Sequence, residues 1–542
     1  MKIKFLISGS LILFLSGCAV RRFEMPPPKA YRGPEVRIGI LTGKTAIEFS
    51  PMGRCQIMAG GILLTQGDSG ETWIVGVKDS NPAKVVFRLV AGSMSSRDRA
   101  REKAREVEAL GFKTLIKPIG MSSFALQTGV FPTLYYRVYL ADTFETDSSA
   151  RAFREQLKNR LDTFIVREIA TPSSGQLVLK NVTKNVQYET TESIQISGAT
   201  IQIRDIPVGT GFHWEKLENR AYPPVLEFTL DVHGKLSAIN IIPLELYVEG
   251  VLPYEMPNGF PESALRAQAV CIRSKALALK GLVHSGDPFD FCGEVHCQVY
   301  GGLDRRNFLV SRAVRKTEGQ VLFKDGRILD AVYSAVCGGH TDNVEEIWNT
   351  SPKVHLKARV DGPSSLKRYE PLDQEENVRK WILESPHAYC NTINGDWPSA
   401  FAYTKKYFRW EVRLSQDELR TQLEKSTGKS LGAILNMVPL KRTQSGRITQ
   451  LKIVGTERDT VLEGELTIRK ALYSSTLWSS CFIVIPQNPL EGIPQTFILK
   501  GAGWGHGVGM CQTGAGVLAF CGKSYKTILK FYFPNAELKK LY

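Results

Sequence analysis

The sequence predicts an α+β, multidomain protein in which a ferredoxin-like N-terminal unit is followed by a strand-rich region. Two stretches predict the first part: residues 85–91, 97–110 and 113–119 read as strand, helix and strand, and residues 135–141, 148–161 and 163–169 repeat the order. That repetition suits a split βαβ unit. From about residue 176 short apolar runs alternate with turn residues, the pattern of strands and tight turns. At 542 residues the chain exceeds one core, and 43% hydrophobic with 23% charged residues excludes both intrinsic disorder and a polytopic membrane protein.

Taken in order, Lys2 and Lys4 precede an apolar stretch, residues 5–17, of secretory length and too short to span a bilayer. It ends in Leu15-Ser16-Gly17-Cys18, which resembles the bacterial lipobox. Residues 1–17 are therefore expected to be a lipoprotein signal peptide, with acylated Cys18 holding an exported protein to a lipid bilayer. Ala19 and Val20 lack the aspartate that resembles an inner-membrane retention signal, so a Gram-negative host would place the protein on the periplasm-facing outer membrane. Residues 18–35, with Pro26-Pro27-Pro28 and Pro34, read as a stiff tether. Residues 36–80 read as a small strand-rich segment turning at Gly60-Gly61. Residues 84–170 form the ferredoxin-like unit, whose two helices are rich in Ala, Arg and Glu, as exposed-face helices should be. This unit also resembles the sporulation-related repeat (SPOR) domain, which binds glycan strands stripped of peptides; an unrelated ferredoxin-like spacer is the alternative.

Lys and Arg number 69 against 54 Asp and Glu, for a net charge of +15. The balance favours an anionic partner such as a membrane surface or cell-wall glycan. The excess is spread along the chain without basic blocks, so no nucleic-acid partner is expected. Of ten cysteines, nine remain once Cys18 is set apart, so they cannot all pair; at least one is free, metal-bound or intermolecular.

Chemistry concentrates in three blocks of the region 176–542. In the first, Pro261 suits a helix start and Gly281 its end. Leu265, Ala269, Ile272, Ala276 and Leu279 recur at helical spacing and should face the core. Arg266 and Arg273, seven apart, share another face as a pair of cations for a polyanion. Gln268 lies beside the apolar stripe and needs partners if buried, because an unpaired amide costs about 1–3 kcal/mol. Just before this helix, Glu255 sits between Tyr254 and Met256 in a proline-bounded loop, where apolar neighbours can raise its pKa toward that of a general acid.

The second block follows His284 and reads Cys292-Gly293-Glu294-Val295-His296-Cys297-Gln298-Val299-Tyr300-Gly301-Gly302. Two thiolates and one imidazole suit zinc with an open fourth position. His296 competes with His284 as the nitrogen ligand, and a Cys292–Cys297 disulfide is the alternative. Downstream, Cys337 and His340 flank the Gly338-Gly339 turn; a buried cysteine beside a turn is preferred there over a metal ligand. The third block has glycine at every odd position from 501 to 509. In an extended chain this bares one face, with Trp504 and His506 on the other. Trp504, Tyr300 and Trp348 are candidates for stacking on sugars.

Together the blocks resemble the stage II sporulation protein D (SpoIID) family, which includes the amidase enhancer. The matching residues are Leu246-Tyr247-Val248-Glu249-Gly250-Val251-Leu252-Pro253-Tyr254-Glu255-Met256-Pro257, Ala264-Leu265-Arg266-Ala267-Gln268-Ala269-Val270, Gln298-Val299-Tyr300-Gly301-Gly302 and Gly503-Trp504-Gly505-His506-Gly507-Val508-Gly509-Met510-Cys511-Gln512. Ser274-Lys275 stands where the family commonly shows Thr-Tyr. The resemblance covers residues 176–542 and implies a SpoIID-type catalytic domain with an active-site groove. It implies a peptidoglycan lytic transglycosylase that cuts MurNAc–GlcNAc linkages of peptide-free strands to 1,6-anhydro-MurNAc ends. Glu255 would be the acid/base, and His284, Cys292 and Cys297 the zinc ligands. Arg266, Gln268, Arg273, His506 and Gln512 would line the groove, with Tyr300 and Trp504 from the stacking argument. One carboxyl suffices for such an enzyme because the sugar's own C6 hydroxyl attacks, at high effective concentration. Three other readings remain: a non-catalytic wall-binding activator of an N-acetylmuramoyl-L-alanine amidase, a hydrolytic glycosidase using Glu249, Glu262 or Glu294 as second carboxylate, and catalysis by metal-bound water.

Overall fold

The structure is a computed structural model describing residues 33–542, apart from 121–123, 127–128, 132–133, 213, 285, 349 and 351. The expected signal peptide, Cys18 and most of the tether lie outside the described residues. The chain is α+β, strand-rich and built from several sheets.

Within residues 84–171 four strands lie in the order Phe164–Thr171, Lys84–Met94, Tyr135–Leu140 and Thr114–Ile119, every pair antiparallel. Two helices, α1 (Arg97–Ala109) and α2 (Asp147–Leu157), connect them. Ser96 and Thr146 cap these helices by accepting the amides of Arg99 and Ser149. Leu89, Val107, Leu140, Ala150 and Leu157 form the small core beneath. The helices and strands fall where their periodicity puts them.

Two larger sheets carry the rest of the N-terminal half. One runs Phe291–Cys292, Glu35–Lys44, Leu236–Pro243, Leu226–Leu230, Ile194–Ser197, Cys55–Ala59 and Ile62–Gly67. The other runs Val186–Thr190, Ser174–Asn181, Trp73–Asn81, Ala46–Pro51, Ile201–Val208 and Lys216–Tyr222. Phe49 joins them, its ring 5.3 Å from Phe228 and 6.4 Å from Trp73. Residues 35–81 thus interleave with residues 174–243 rather than standing as a segment of their own, and the unit at 84–171 lies between them in the chain. Alternation marks a strand without naming its neighbour.

The strand Leu236–Pro243 leads straight into α3 (Leu244–Glu255), whose Leu244 amide donates to the carbonyl of Pro34 at 2.9 Å. Next comes α4 (Glu262–Leu279), which ends before Gly281 at φ +75°. Leu265, Ala269, Ile272 and Ala276 are buried in it as the spacing predicts. Helix α4 packs against α3 and the helices Phe308–Lys316, Gln512–Phe520 and Tyr525–Tyr532. A separate core around Trp410, Leu419, Ile453 and Phe497 supports the strands Arg409–Ser415, Ile493–Ala502 and Phe482–Leu490. Among the described residues, no helix is long and apolar enough to cross a membrane.

Candidate functional site

Glu255 is the last residue of α3, not a loop residue: the helix runs through Pro253 and stops where Met256 takes extended angles ahead of Pro257. The segment Gln298-Val299-Tyr300-Gly301-Gly302 wraps this helix end. A Cβ at Gly301 would run into the Tyr254 ring, and one at Gly250 into the Tyr300 ring, so both glycines are needed for the close approach. The wrap brings the Val299 amide to Glu255 Oε1 at 2.8 Å. On the other side Gln512 donates to the Glu255 carbonyl at 2.8 Å. Burial pushes the Glu255 carboxyl up to about 7, against hydrogen bonds from Val299 and Tyr333 and the charge of Lys275. Such a group holds and releases a proton near neutral pH.

Tyr333 lies on the short strand Tyr333–Ser334, which pairs in parallel with Met510–Cys511 and so ties the glycine run to the site. Its hydroxyl donates to Gln298 Oε1 at 2.8 Å, and the Gln298 amide reaches Tyr247 at 3.1 Å. His506 accepts the Val508 amide on Nδ1 at 3.1 Å, which leaves the proton of the neutral ring on Nε2. Burial drives its pKa down to about 3, reinforced by Lys275, Arg447 and Arg469, so the ring stays neutral. The exposed indole of Trp348 covers it, with ring centroids 4.8 Å apart.

The glycine run is not the extended ladder that its spacing predicts. Gly503, Gly505, Gly507 and Gly509 all take φ between +76° and +99°. A Cβ at Gly507 would meet the Arg447 guanidinium and one at Gly509 the Val332 carbonyl, so the bare face lies against the protein itself. Trp504 is half-buried against Tyr407, with centroids 4.3 Å apart.

Three other expected groove residues point inward. Arg273 is fully buried and forks onto Glu245, with Nε at 2.7 Å and Nη2 at 2.6 Å from its two oxygens. Its guanidinium is therefore withdrawn from any substrate surface: it shares a helix face with Arg266 but stands two turns further along, where Glu245 of α3 covers that face. Arg266 pairs with Glu262 and lies 5.9 Å from the Tyr525 ring centroid. Tyr300 is 1% exposed, donates to Asn240 at 2.6 Å and stacks on Tyr247, so no sugar reaches its face. Gln268 is fully buried, and its amide has no hydrogen-bond partner among the described residues. Tyr333 and Lys275 are the site residues that sequence reasoning passed over. Lys275 carried a signal, as a departure from the family pattern; Tyr333 carried none.

Two of the three candidate second carboxylates are engaged by cations. Glu249 is paired with Arg306, and Glu262 with Arg266, Arg312 and Lys316. Glu294 lies in the Cys292–Cys297 loop, where burial raises its pKa and Arg220 opposes the rise.

That loop makes a candidate metal centre of four groups rather than three. Donor atoms of His284, Cys292, His296 and Cys297 all lie within 4.8 Å of one another. His284 Nε2 is 3.4 Å from Cys297 Sγ, while its Nδ1 meets Asp287 at 2.9 Å. A carboxylate on the far nitrogen is the usual device for orienting an imidazole ligand. The Cys292 thiol is held well below its ordinary range, chiefly by a hydrogen bond from Cys297, then by the histidines. Two thiolates and two imidazoles fit tetrahedral zinc and leave no open position, unlike the three-ligand site expected.

In comparison with known proteins, residues 232–323 match the family model described as Stage II sporulation protein, and residues 342–509 match that of a domain of unknown function. The chain is 29% identical over 305 residues to an uncharacterized protein of Brachyspira hyodysenteriae, spanning 56% of this chain and 68% of that protein. It is 25% identical over 300 residues to the amidase enhancer of Bacillus subtilis, covering 54% of this chain and only 40% of that protein's length. It is 27% identical over 317 residues to stage II sporulation protein D of Bacillus amyloliquefaciens, covering 56% and 76% of the two chains. The resemblance read from the motifs is borne out.

Proposed function

We propose that the SpoIID-type region of this chain is a peptidoglycan lytic transglycosylase acting on peptide-free glycan strands. The observation that carries the reading is the Glu255 carboxyl, poised near 7 at a helix end between the Val299 amide and the Tyr333 hydroxyl. Protonated Glu255 would give its proton to the leaving glycosidic oxygen, breaking the bond to the anomeric carbon. The C6 hydroxyl of the same muramic acid would attack that carbon and pass its proton back to Glu255, closing the 1,6-anhydro ring. Neutral His506, its Nε2 proton directed at the Tyr333 backbone, would hold the glycine run against the site, and Trp348 would offer the sugar face a platform. Lys275 supplies the cation that Arg273 does not, and suits the lactyl carboxylates of a stripped strand. The engagement of Glu249 and Glu262 by cations supports this reading over a two-carboxylate hydrolase.

Zinc at His284, Cys292, His296 and Cys297 would act as a staple, holding the loop that delivers Val299 to Glu255. The unit at residues 84–170, with its split βαβ order, is read as a ferredoxin-like, SPOR-like glycan-binding domain. Cys18 would anchor the whole to a bilayer as an exported lipoprotein, and a cell-wall amidase is a candidate partner.

Incubation with denuded strands, followed by mass spectrometry, tests the reading. Anhydro ends from wild type and none from Glu255→Gln support it, and reducing ends point to hydrolysis. Strands left intact by both proteins, but bound, favour the amidase-activator reading suggested by the amidase enhancer's name.

A further inference from the structure

Among the cysteines that neither the proposed reaction nor the first metal centre uses, three, Cys337, Cys390 and Cys511, converge. Each is fully buried or nearly so, and their sulfurs lie with an oxygen of Asp361 within 4.8 Å of one another. They come from four places in the chain: the Gly338-Gly339 turn, the residue after Val360, the loop before Thr392, and the end of the glycine run. The sequence paired Cys337 with His340, but His340 turns away to Glu370 at 2.8 Å and Ser445 at 2.7 Å.

We propose that Cys337, Asp361, Cys390 and Cys511 form a second metal site, separate from the His284 cluster, that takes a thiophilic divalent cation of the zinc class. The spacing suits it. Sulfurs bonded to one tetrahedral zinc at about 2.3 Å stand about 3.8 Å apart, and those of Cys337 and Cys390 are 3.6 Å apart. Asp361 Oδ2 is 3.1 Å from Cys337 Sγ, while its other oxygen accepts the Tyr532 hydroxyl at 2.6 Å, fixing the carboxylate's orientation.

The surroundings are built for thiolates. Backbone amides of Cys337 and Gly514 point at Cys511 Sγ, at 3.3 and 3.4 Å, and that of Gly339 at Cys337 Sγ at 3.4 Å. Cys511 is also the N-cap of the helix Gln512–Phe520, where the helix dipole favours a negative group. Loading releases a proton from each protonated ligand, and three thiolates, one carboxylate and a dication total about −2. One guanidinium stands by to offset that charge: Arg409 donates to the Gly338 carbonyl at 3.1 Å, whereas Arg447, which donates to the Cys337 carbonyl at 3.1 Å, is already paired with the buried Asp342. A plain cluster of thiols would need neither the carboxylate nor these donors. The site would clamp the glycine run immediately before Gln512, the residue that holds the Glu255 carbonyl.

Full-length protein loaded with zinc, and separately with cobalt(II), tests this. Wild type is expected to hold two equivalents by elemental analysis, and Cys390→Ser or Asp361→Asn one. The Cys292→Ser/Cys297→Ser variant should keep one cobalt with thiolate charge-transfer absorption. In wild type, zinc should shield Cys337, Cys390 and Cys511 from alkylation until a chelator is added, a readout that needs no variant to fold. The proposal is overturned if wild type holds one equivalent that vanishes in Cys292→Ser/Cys297→Ser. It is equally overturned if denatured, alkylated protein retains a Cys337–Cys390 disulfide.

Discussion

The two ends of α3 each carry a glutamate, fully buried at one end and half-buried at the other, and treat it in opposite ways. At the first turn Glu245 is fully buried, but Arg273 grips both its oxygens and Tyr542 adds a hydroxyl at 2.6 Å. At the last turn Glu255 receives one amide, competes with Gln298 for the single proton of the Tyr333 hydroxyl and has only the charge of Lys275 as a counterion, and burial lifts it to about 7. One helix therefore holds a carboxylate locked in an ion pair and another whose proton affinity is raised, and what separates them is whether a guanidinium closes the fork.

The largest effect tests the reactive end. Glu255→Gln should slow the release of anhydro sugars by about 10²–10⁴-fold, and unchanged clearance would break the contrast. At the structural end, removing one partner of a buried pair costs about 3–5 kcal/mol. Arg273→Met should lower stability in urea denaturation by that order, and the double variant Glu245→Gln/Arg273→Met should recover part of it.

Acidity then sharpens the difference. Because folding raises the Glu255 pKa from 4.5 to about 7, its stabilising contribution is complete below pH 4.5 and lost as pH climbs through 7. Wild type should therefore lose stability relative to Glu255→Gln between pH 5 and pH 8, as melting temperatures at both would show. kcat/KM on denuded strands should fall over the same upper range, as the proton needed for the leaving group is lost. A smaller shift is expected in Lys275→Met: without that ammonium the falling limb should move to higher pH by up to about 1 unit. The smallest effect concerns Tyr300→Phe, which loses its bond to Asn240. It should cost about 1 kcal/mol of stability and leave KM unchanged, since the ring faces no sugar.

Local signals were read well and long-range ones poorly. Pro261, Gly281 and the apolar stripe gave α4 its ends and its buried face, because those depend on neighbours three and four residues away. The same helical geometry could not say that Arg273 would meet Glu245, 28 residues earlier, and so a buried fork was mistaken for a ligand surface. Glu255 was identified from its apolar neighbours, yet the source of its burial, the wrap of residues 298–302, required tertiary contact. Alternating glycines suggested a strand because periodicity carries no sign of φ. The second cysteine cluster draws on four separated segments and left no spacing to notice.

The interleaving of the first strand with the sheet that leads into α3 sets a rule for how this chain can be cut and made. Glu35–Lys44 lies between Leu236–Pro243 and Phe291–Cys292, and Pro34 receives the first amide of α3. A nascent chain must carry that strand unmatched until roughly two hundred further residues have been synthesised, the kind of distant pairing that slows folding. A fragment beginning at residue 176, although it spans every motif shared with the relatives, would leave a raw sheet edge beside its own acid-bearing helix. The enzyme-like half is thus obliged to the N-terminal segment for its shape.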